Sequence, residues 1–215
     1  MPEYFNDLFD QWASSYDDTV VGKDVEYREV FRRYDEILET IAERANGFVL
    51  EFGVGTGNLT KKLVTKGMEV IGIEPSENMR KIAKQKLPGT AIVKGSFLSF
   101  PALGKKVDTI VSSYAFHHLT DAEKEQAIQL YTEMLHEGGK IIFGDTIFEN
   151  DEAKQLAYLD AKNKKYDRLA NDLNTEFYTT IPKLTGILEK HGFTVRFERM
   201  NDFVWIMEAD FKAAN

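Results

Sequence analysis

The sequence predicts an α/β fold in which helices cover both faces of a mostly parallel β-sheet. From residue 48 onward, short runs rich in β-branched and aromatic residues alternate with stretches of helical periodicity. Strands separated by helices form βαβ units, whose strands run parallel. The final two strand-like runs are joined by Asn201-Asp202, a connection of hairpin length, which predicts an antiparallel last pair. At 215 residues, the chain is expected to form a single domain, residues 1–215.

The first 46 residues, 1–46, are expected to form an N-terminal helical cap. This stretch is rich in aromatic residues and carries 12 acidic against 5 basic side chains. Apolar side chains recur at helical spacing in its second half, at Val30, Phe31, Tyr34, Ile37, Leu38 and Ile41. One or two capping helices are therefore predicted here.

Residues 47–146 carry the repeating pattern and are expected to form the cofactor-binding core. Strands are predicted at 48–52, 69–73, 90–93, 107–111 and 140–143, and helices near 58–66, 76–87 and 121–136. Gly67, Gly89 and Gly138 follow these helices, where a residue with positive φ ends a helix. Ser76 stands at an N-cap position, and the sequence from Thr120 to Glu123 has the capping-box pattern.

After residue 146 the pattern changes. A charged helical segment is predicted at about 149–172, a second helix near 181–191, and strands at 193–199 and 203–209. Residues 147–215 are therefore expected to supply substrate-side helices and the closing hairpin.

Composition excludes several classes of protein. Hydrophobic residues make up 43% of the chain and charged residues 29%, which is typical of a folded globular protein. The chain has no cysteine, which excludes disulfides and thiolate metal sites and suits the reducing cytoplasm, the expected compartment. No apolar run approaches the roughly 18 residues of a membrane span, so no membrane partner is expected. A net charge of −8 disfavours a nucleic-acid partner.

The strongest local signal is a strand that breaks into three glycines, Gly53, Gly55 and Gly57, before a helix. Glycines at such a turn let the backbone approach a ligand closely, at the sheet edge where open α/β folds bind ligands. A carboxylate, Glu74, ends the second strand 21 positions after Gly53. An acid about 20 residues after the loop is placed to bind ribose hydroxyls. Loop and acid together predict an adenosine-type ligand, the alternative being glycines that only ease packing.

The glycine spacing discriminates between adenosine ligands. A dinucleotide site favours G-x-G-x-x-G, with a helix N-terminus facing the pyrophosphate, whereas this chain has G-x-G-x-G. Glu51, two residues before the first glycine, suits a cationic ligand better than a pyrophosphate. S-adenosylmethionine (SAM) has an ammonium, a sulfonium and a ribose diol but no phosphate, so SAM is the predicted cofactor. The alternative role of Glu51 is to order the loop by accepting backbone N–H bonds.

Candidate catalytic groups follow the fourth strand. His117 and His118 are candidate general bases, because an unperturbed imidazole titrates near about 6.5. The alternative is that the pair packs against the cofactor or caps the next helix. The four histidines show no H-x-x-x-H spacing and the chain has no cysteine, so no metal is expected.

Taken in order, these motifs resemble those of class I SAM-dependent methyltransferases. The resemblance spans about residues 47–146 and rests on the glycine loop, Glu74, the segment from Asp108 to Leu119, and Leu135-His-Glu-Gly-Gly-Lys. It implies a Rossmann-like sheet of seven strands with an antiparallel last strand. It further implies that Gly53, Gly55 and Gly57 line the methionine and ribose side of SAM. Glu74 would bind the ribose diol, and Glu51 would lie near the amino group.

The resemblance also implies contacts to the adenine and to the acceptor. Pro75 is expected beside the ribose and adenine, and Ser96 and Phe97 beside the adenine. Because the family usually has an acid where this chain has Ser96, the adenine contact lacks a charge or falls to the Phe97 backbone. Tyr16 lies in a stretch, residues 12–17, that resembles the family's N-terminal lid, and is the preferred substrate-side residue. Asp145 ends the fifth strand facing the same cleft.

The predicted activity is methyl transfer from SAM to a small-molecule acceptor by in-line displacement. Such a reaction chiefly requires the nucleophile and the methyl carbon to be held at roughly 3–3.5 Å with water excluded. One alternative is a non-catalytic SAM-binding protein, suggested by the missing acid at Ser96. The other is an NAD-dependent oxidoreductase, which the glycine spacing disfavours.

Overall fold

A central β-sheet organises the protein, which the computed structural model describes over residues 16–212. Residues 12–15 of the lid-like stretch, Trp12 among them, lie outside the described residues. The strands are β1 (Phe48–Phe52), β2 (Glu69–Ile73), β3 (Ala91–Val93), β4 (Val107–Ser113), β5 (Leu135–Phe148), β6 (Thr179–Thr180), β7 (Phe193–Arg199) and β8 (Val204–Phe211).

The strand order is β3-β2-β1-β4-β5-β8-β7. Strands β1 to β5 pair in parallel, and β8 runs antiparallel to both β5 and β7. This confirms the predicted Rossmann-like, mostly parallel sheet of seven strands with an antiparallel last strand. The two-residue β6 is an addition: it pairs in parallel with Ile147 and Phe148 at the end of β5, outside the main path.

Seven helices of eight or more residues are described: α1 (Tyr34–Arg44), α2 (Asn58–Thr65), α3 (Glu77–Lys86), α4 (Asp121–Met134), α5 (Asp151–Asn163), α6 (Asp167–Thr175) and α7 (Ile181–Lys190). Short helical turns occur at Tyr16–Asp18, Thr19–Lys23 and Phe116–His118. Within the described range, none of the helices has the length and apolar character needed to span a bilayer.

Helices cover both faces of the sheet. On one face α1 and α2 pack on the strands through a cluster of buried apolar side chains that includes Ile37, Ile41, Leu63, Val49 and Ile142. On the other face α4 and α7 form the larger cluster, which includes Tyr131, Leu184, Leu188, Phe52 and Phe143. The apolar periodicity predicted for the N-terminal stretch therefore places α1 directly on the sheet.

Two helix starts follow the predicted capping chemistry. The Ser76 hydroxyl accepts a hydrogen bond from the Met79 N–H at the start of α3. At the start of α4, Thr120 accepts from the Glu123 N–H, and the Glu123 carboxylate accepts from the Thr120 N–H, which completes the capping box. These bonds satisfy N–H groups that lack partners within a helix.

The helical segment predicted at about 149–172 is two helices. Helix α5 ends at Asn163, Lys165 takes a left-handed conformation with φ 59°, and α6 begins at Asp167. The turn lets Leu169 and Leu173 of α6 join a buried cluster with Phe148 of β5. No glycine or proline marks the break, and burial of the α6 face is what stabilises it.

Candidate cofactor and acceptor site

A cleft of about 590 Å³, including its mouth, opens at the carboxyl ends of β1, β2 and β4. Most of the residues predicted to bind the cofactor line it: Gly53, Gly55, Glu74, Pro75, Ser96 and Phe97. Tyr16 and His118, predicted on the acceptor side, line it as well. The parallel strands deliver these residues to one edge because their carboxyl ends meet there.

Two of the loop glycines bring the backbone to the cleft. Gly53 has φ 69°, and a Cβ at this position would lie 2.6 Å from the Cβ of Ala115. Gly55 has φ 56° and open space where a side chain would be, with its N–H donating to Glu74 Oε2 at 2.8 Å. Both conformations are ones that L side chains rarely adopt. A ligand in the cleft therefore meets bare backbone at this loop.

The third glycine, Gly57, is not part of the cleft lining. It precedes α2 with φ 91°, and a Cβ here would lie 3.0 Å from Leu87 Cδ1 and 3.4 Å from Ala83 Cβ. Its position supports close packing of α2 against α3. The predicted contact of Gly57 with the cofactor stays a prediction.

The Glu74 carboxylate is oriented by backbone. Its Oε2 accepts from the Gly55 N–H and its Oε1 accepts from the Ser76 N–H, each at 2.8 Å. The side chain is 4% exposed and lines the cleft. Each carboxylate oxygen can accept more than one hydrogen bond, so the pair of oxygens can also receive two ligand hydroxyls.

Glu51 lies beneath the loop rather than in the cleft lining. It is 1% exposed, and its Oε2 accepts from the Thr60 hydroxyl of α2 at 2.6 Å. Burial, aided by the charge of Glu74, raises the pKa of Glu51 to about 8, although the Thr60 bond opposes the shift. Thr60 belongs to α2 and not to the glycine loop, so both the loop-ordering role through backbone N–H bonds and the contact with the cofactor amino group stay predictions.

Ser96 and Phe97 form the far wall of the cleft. The Ser96 N–H donates to the Ser99 carbonyl at 2.7 Å, which closes a tight turn after β3. Phe97 is buried, with its ring stacked on Phe52 at a centroid distance of 5.2 Å. Packing therefore fixes Phe97, and the turn presents Ser96 to the cleft where the family usually has an acid.

A second cleft, of about 1300 Å³ including its mouth, adjoins the first. The two share Tyr16, Tyr114 and His118. The second is lined further by side chains of the segment 19–31, of α6 and of the segment that follows it. We call it the acceptor cleft. Burial raises the pKa of the Tyr16 hydroxyl well above its usual range, which keeps the phenol neutral.

His117 is held by Asp145. The His117 Nδ1 lies 2.6 Å from Asp145 Oδ1, and the His117 N–H donates to Asp145 Oδ2 at 2.9 Å. Burial would lower the pKa of His117, but the charge and hydrogen bond of Asp145 raise it above its usual value. The imidazole also stacks on Tyr178 with centroids 5.0 Å apart. The sequence predicts that Asp145 ends the fifth strand facing the cleft; in the structure β5 continues to Phe148, and Asp145 lines neither cleft but fixes His117.

The pKa of His118 is shifted in the opposite direction from that of His117. Its Nδ1 lies 3.0 Å from Glu176 Oε2, and the side chain borders both clefts. Burial lowers the pKa of His118, and the neighbouring charge of His117 lowers it further. His118 is therefore neutral at neutral pH, the state in which an imidazole can accept a proton.

A buried lysine ties the two segments of this site together. Lys124 of α4 is 1% exposed and donates to the carbonyl of Leu119 and, at 2.7 Å, to the carbonyl of Phe177. Burial lowers the pKa of its ammonium to about 8. One bond holds the turn that carries His117 and His118, and the other holds the chain beside Glu176.

Sequence reasoning missed Glu176, Lys124 and the role of Tyr114. Glu176 is 58 residues from His118, so no local spacing could reveal the pair. Tyr114 directly follows β4 with φ 52°, a strained conformation for a bulky residue, and its N–H donates to the Gly144 carbonyl at 2.8 Å. The cluster of polar side chains after β4 was the only signal in the sequence that pointed to Tyr114.

His117, His118 and Glu176 place one ligand atom each within 4.8 Å of one another. This grouping has the residue types of a metal site, which sequence spacing did not indicate. In the structure His118 Nδ1 pairs with Glu176, and His117 Nδ1 pairs with Asp145. The expectation of no metal stays a prediction.

Comparisons with known proteins identify the family by sequence. Residues 49–139 match the methyltransferase domain family. An uncharacterized methyltransferase of Bacillus cytotoxicus is 56% identical over 206 residues, which cover 95% of this chain and 97% of that protein. Another, of Geobacillus kaustophilus, is 53% identical over 210 residues and covers 97% of this chain and 98% of that protein.

Solved structures agree on the fold. The magnesium protoporphyrin IX methyltransferase of Synechocystis PCC 6803, solved with bound S-adenosylhomocysteine (SAH), has a TM-score of 0.74 at 16% identity, covering 98% of this chain and 99% of that one. The CcbJ methyltransferase of Streptomyces caelestis has a TM-score of 0.64 at 17% identity, covering 85% and 96%. The sequence relatives establish that the chain belongs to the methyltransferase family, and the solved structures show that it shares the fold of a methyltransferase that has SAH bound.

Proposed function

We propose that this methyltransferase binds SAM in the cleft beneath the glycine loop and transfers its methyl group to a small molecule in the acceptor cleft. The observation that carries the proposal is the meeting of the two clefts at Tyr16, Tyr114 and His118. A sulfonium methyl at that junction can be reached in line by a nucleophile on the other side. Holding both reactants at roughly 3–3.5 Å supplies most of what this displacement requires.

In this proposal the cofactor is held chiefly by backbone and by one carboxylate. Glu74 accepts hydrogen bonds from the ribose diol with oxygens that two backbone N–H groups already orient. Gly53 and Gly55 leave room for the ribose and the methionine portion. Pro75 and Phe97 line the adenine side, and Ser96 supplies a neutral polar contact there.

His118 acts as the general base when the acceptor must lose a proton, and Tyr16 positions the acceptor. His118 is supported by its neutral state, its place at the junction and its carboxylate partner Glu176. With the proton on Nδ1 donated to Glu176, Nε2 is the nitrogen that takes the acceptor's proton. His117, whose pKa Asp145 raises, is fixed by that carboxylate and serves to orient the turn.

The acceptor is a small molecule in this proposal because side chains of one chain enclose its cleft between α6 and the segment 19–31. The absence of cysteine throughout the sequence suits a reducing compartment, so we place the reaction in the cytoplasm.

Two measurements test the proposed function. Isothermal titration calorimetry is expected to show SAM and SAH binding, with no binding of NAD. Transfer of a labelled methyl group is then followed across a panel of small amines, thiols and alcohols. SAM binding with no turnover on any acceptor would favour the non-catalytic alternative, and NAD binding without SAM binding would overturn the assignment.

Alanine at Glu74 is expected to weaken SAM binding by about 1–3 kcal/mol, or roughly 5- to 150-fold in Kd, because hydrogen bonds to a charged group are lost. Calorimetry measures the affinity. Glu69→Ala is the matched control, since Glu69 starts β2, the strand that Glu74 follows, is exposed and pairs with Lys105 away from the cleft. Unchanged SAM affinity in Glu74→Ala would remove the ribose assignment.

A further inference from the structure

Aromatic side chains form about a third of the lining of the acceptor cleft. Five line it: Tyr16, Tyr27, Phe31, Tyr114 and Tyr178. Some of these rings are in contact with one another: the centroids of Phe31 and Tyr114 lie 5.1 Å apart. Aromatic faces carry negative electrostatic potential and attract cations within about 6 Å.

The positive groups at this cleft are already neutralised. Arg168 donates to Asp24 at 2.8 Å and to Glu26 at 3.1 Å, so two carboxylates balance its one charge. His117 pairs with the Asp145 carboxylate behind it, which balances the charge of its protonated form. Neither group is therefore available to attract an anionic ligand.

Two carboxylates of the cleft are close to each other instead. Asp172 and Glu176 lie one helical turn apart at the end of α6, and both line the cleft. Asp172 accepts a hydrogen bond from the Tyr27 hydroxyl, and Glu176 faces the neutral His118. Burial raises the pKa of Asp172 and the charge of Glu176 raises it further, against the Tyr27 bond. A cation between these carboxylates would relieve their repulsion.

An unused hydroxyl lies at the junction of the clefts. The Tyr114 hydroxyl is buried and has no hydrogen-bond partner among the described residues. Burial keeps this phenol neutral by raising its pKa well above the usual range. A buried polar atom without a partner costs about 1–3 kcal/mol, and a ligand N–H can donate to the phenol oxygen.

We propose that the acceptor is an organic ammonium compound, a protonated amine joined to an apolar or aromatic body, recognised by Asp172, Glu176 and the surrounding rings. This inference rests on the proposed function. The ammonium gives one proton to His118, and the freed nitrogen lone pair attacks the methyl carbon. The bond from that carbon to sulfur breaks with its electrons staying on sulfur, which yields the N-methylated ammonium product and SAH.

The test uses a probe that cannot be methylated. Benzyltrimethylammonium is titrated calorimetrically into EDTA-treated full-length protein saturated with SAH, beside benzyl alcohol as the neutral probe and phenylacetate as the anionic one. The ammonium probe is expected to bind at least tenfold more tightly than either. Its binding is also expected to weaken as salt is raised, because charge attraction contributes. Equal affinity for the three probes, or preference for phenylacetate, would overturn the inference.

Variants test whether Asp172 and Glu176 cause the preference for the ammonium probe. Asp172→Asn and Glu176→Gln are each expected to weaken binding of the ammonium probe by threefold or more, with benzyl alcohol binding unchanged. Asp160→Asn is the matched control, because Asp160 is exposed on α5 and pairs with Lys164. The second carboxylate variant keeps the inference testable if the first unfolds. An ammonium preference that survives both substitutions in folded protein would contradict the assigned residues.

Two further controls distinguish an ammonium site from a metal site, and a wrong acceptor class from a wrong proposed function. Titration of zinc chloride into the same EDTA-treated protein tests the histidine–glutamate group as a metal site. Zinc binding with no ammonium binding would overturn the inference in favour of a metal ion. Failure of SAM and SAH to bind would contradict the proposed function itself, whereas normal SAM binding without an ammonium preference would contradict only the acceptor class.

Discussion

Replacing His118 with alanine is expected to lower the rate of methyl transfer by about 10²- to 10⁴-fold, the range that a positioned general base contributes. SAM affinity should change by less than threefold, since Glu74 and the loop backbone carry that binding in our proposal. Single-turnover transfer of a labelled methyl group measures the rate, and calorimetry measures SAM binding.

The pH dependence of the rate gives an independent check on His118. Because burial and the charge of His117 lower its pKa, His118 should stay basic below the pH at which an exposed imidazole becomes protonated. The rate is therefore expected to fall only on the acid side of about pH 6.5. This acid limb should disappear in His118→Ala.

His136→Ala is the matched control, because His136 is an exposed histidine on β5. His117→Ala should also leave SAM affinity within a few-fold, but it removes the partner of buried Asp145 and should lower stability. A loss of SAM affinity equal to the loss of rate in His118→Ala would assign His118 to packing against the cofactor.

The second large effect concerns Glu51 and the stability of the empty protein. With a folded-state pKa of about 8, above the ordinary 4.5, Glu51 binds its proton more tightly folded than unfolded. Its contribution to stability is therefore fully present below about pH 4.5 and is lost as pH rises toward 8. At about 1.4 kcal/mol per pKa unit, the full loss is expected to reach about 5 kcal/mol.

Urea unfolding of wild-type and Glu51→Gln protein between pH 5 and 8 measures this loss. Glutamine keeps an oxygen that accepts from the Thr60 hydroxyl and removes the titration. The free energy of unfolding of the variant relative to wild type should rise with pH across the window. A pH-independent difference would mean that Glu51 is ionised throughout and that other charges stabilise it.

SAM binding distinguishes the two roles considered for Glu51. A cofactor ammonium in contact with Glu51 would favour the carboxylate form and release a proton on binding near neutral pH. Calorimetry in two buffers of different ionisation enthalpy detects such a release. If Glu51 has no contact with the cofactor ammonium, the SAM binding enthalpy should not depend on the buffer in this way.

The features that sequence predicted well are those with local chemical causes. Thr120 and Glu123 form a capping box because the two groups are three residues apart at a helix start. Glu74 reaches the glycine loop because parallel neighbouring strands end at one edge, a property of the βαβ unit. The antiparallel β8 followed from the short connection at Asn201-Asp202.

The features that sequence did not predict depend on contacts between distant segments. Lys165 breaks the helical segment without a glycine, because burial of Leu169 and Leu173 stabilises the turn. Glu176 meets His118 only after α6 has docked. Gly53 and Gly57 belong to one glycine motif, so the sequence does not distinguish them. The position of α3 shows that Gly57 is the one that packs against a helix.

The buried ammonium of Lys124 joins two strips of chain that lie far apart in sequence, the turn ending at Leu119 and the strip around Phe177. Freeing either strip would strand a charged amine away from water, so the two should loosen in one cooperative event. Backbone amides in the two strips should therefore exchange with solvent at similarly slow rates, on both sides of the reaction chamber. Assembly of the chamber would then require the docking of α4, which carries Lys124.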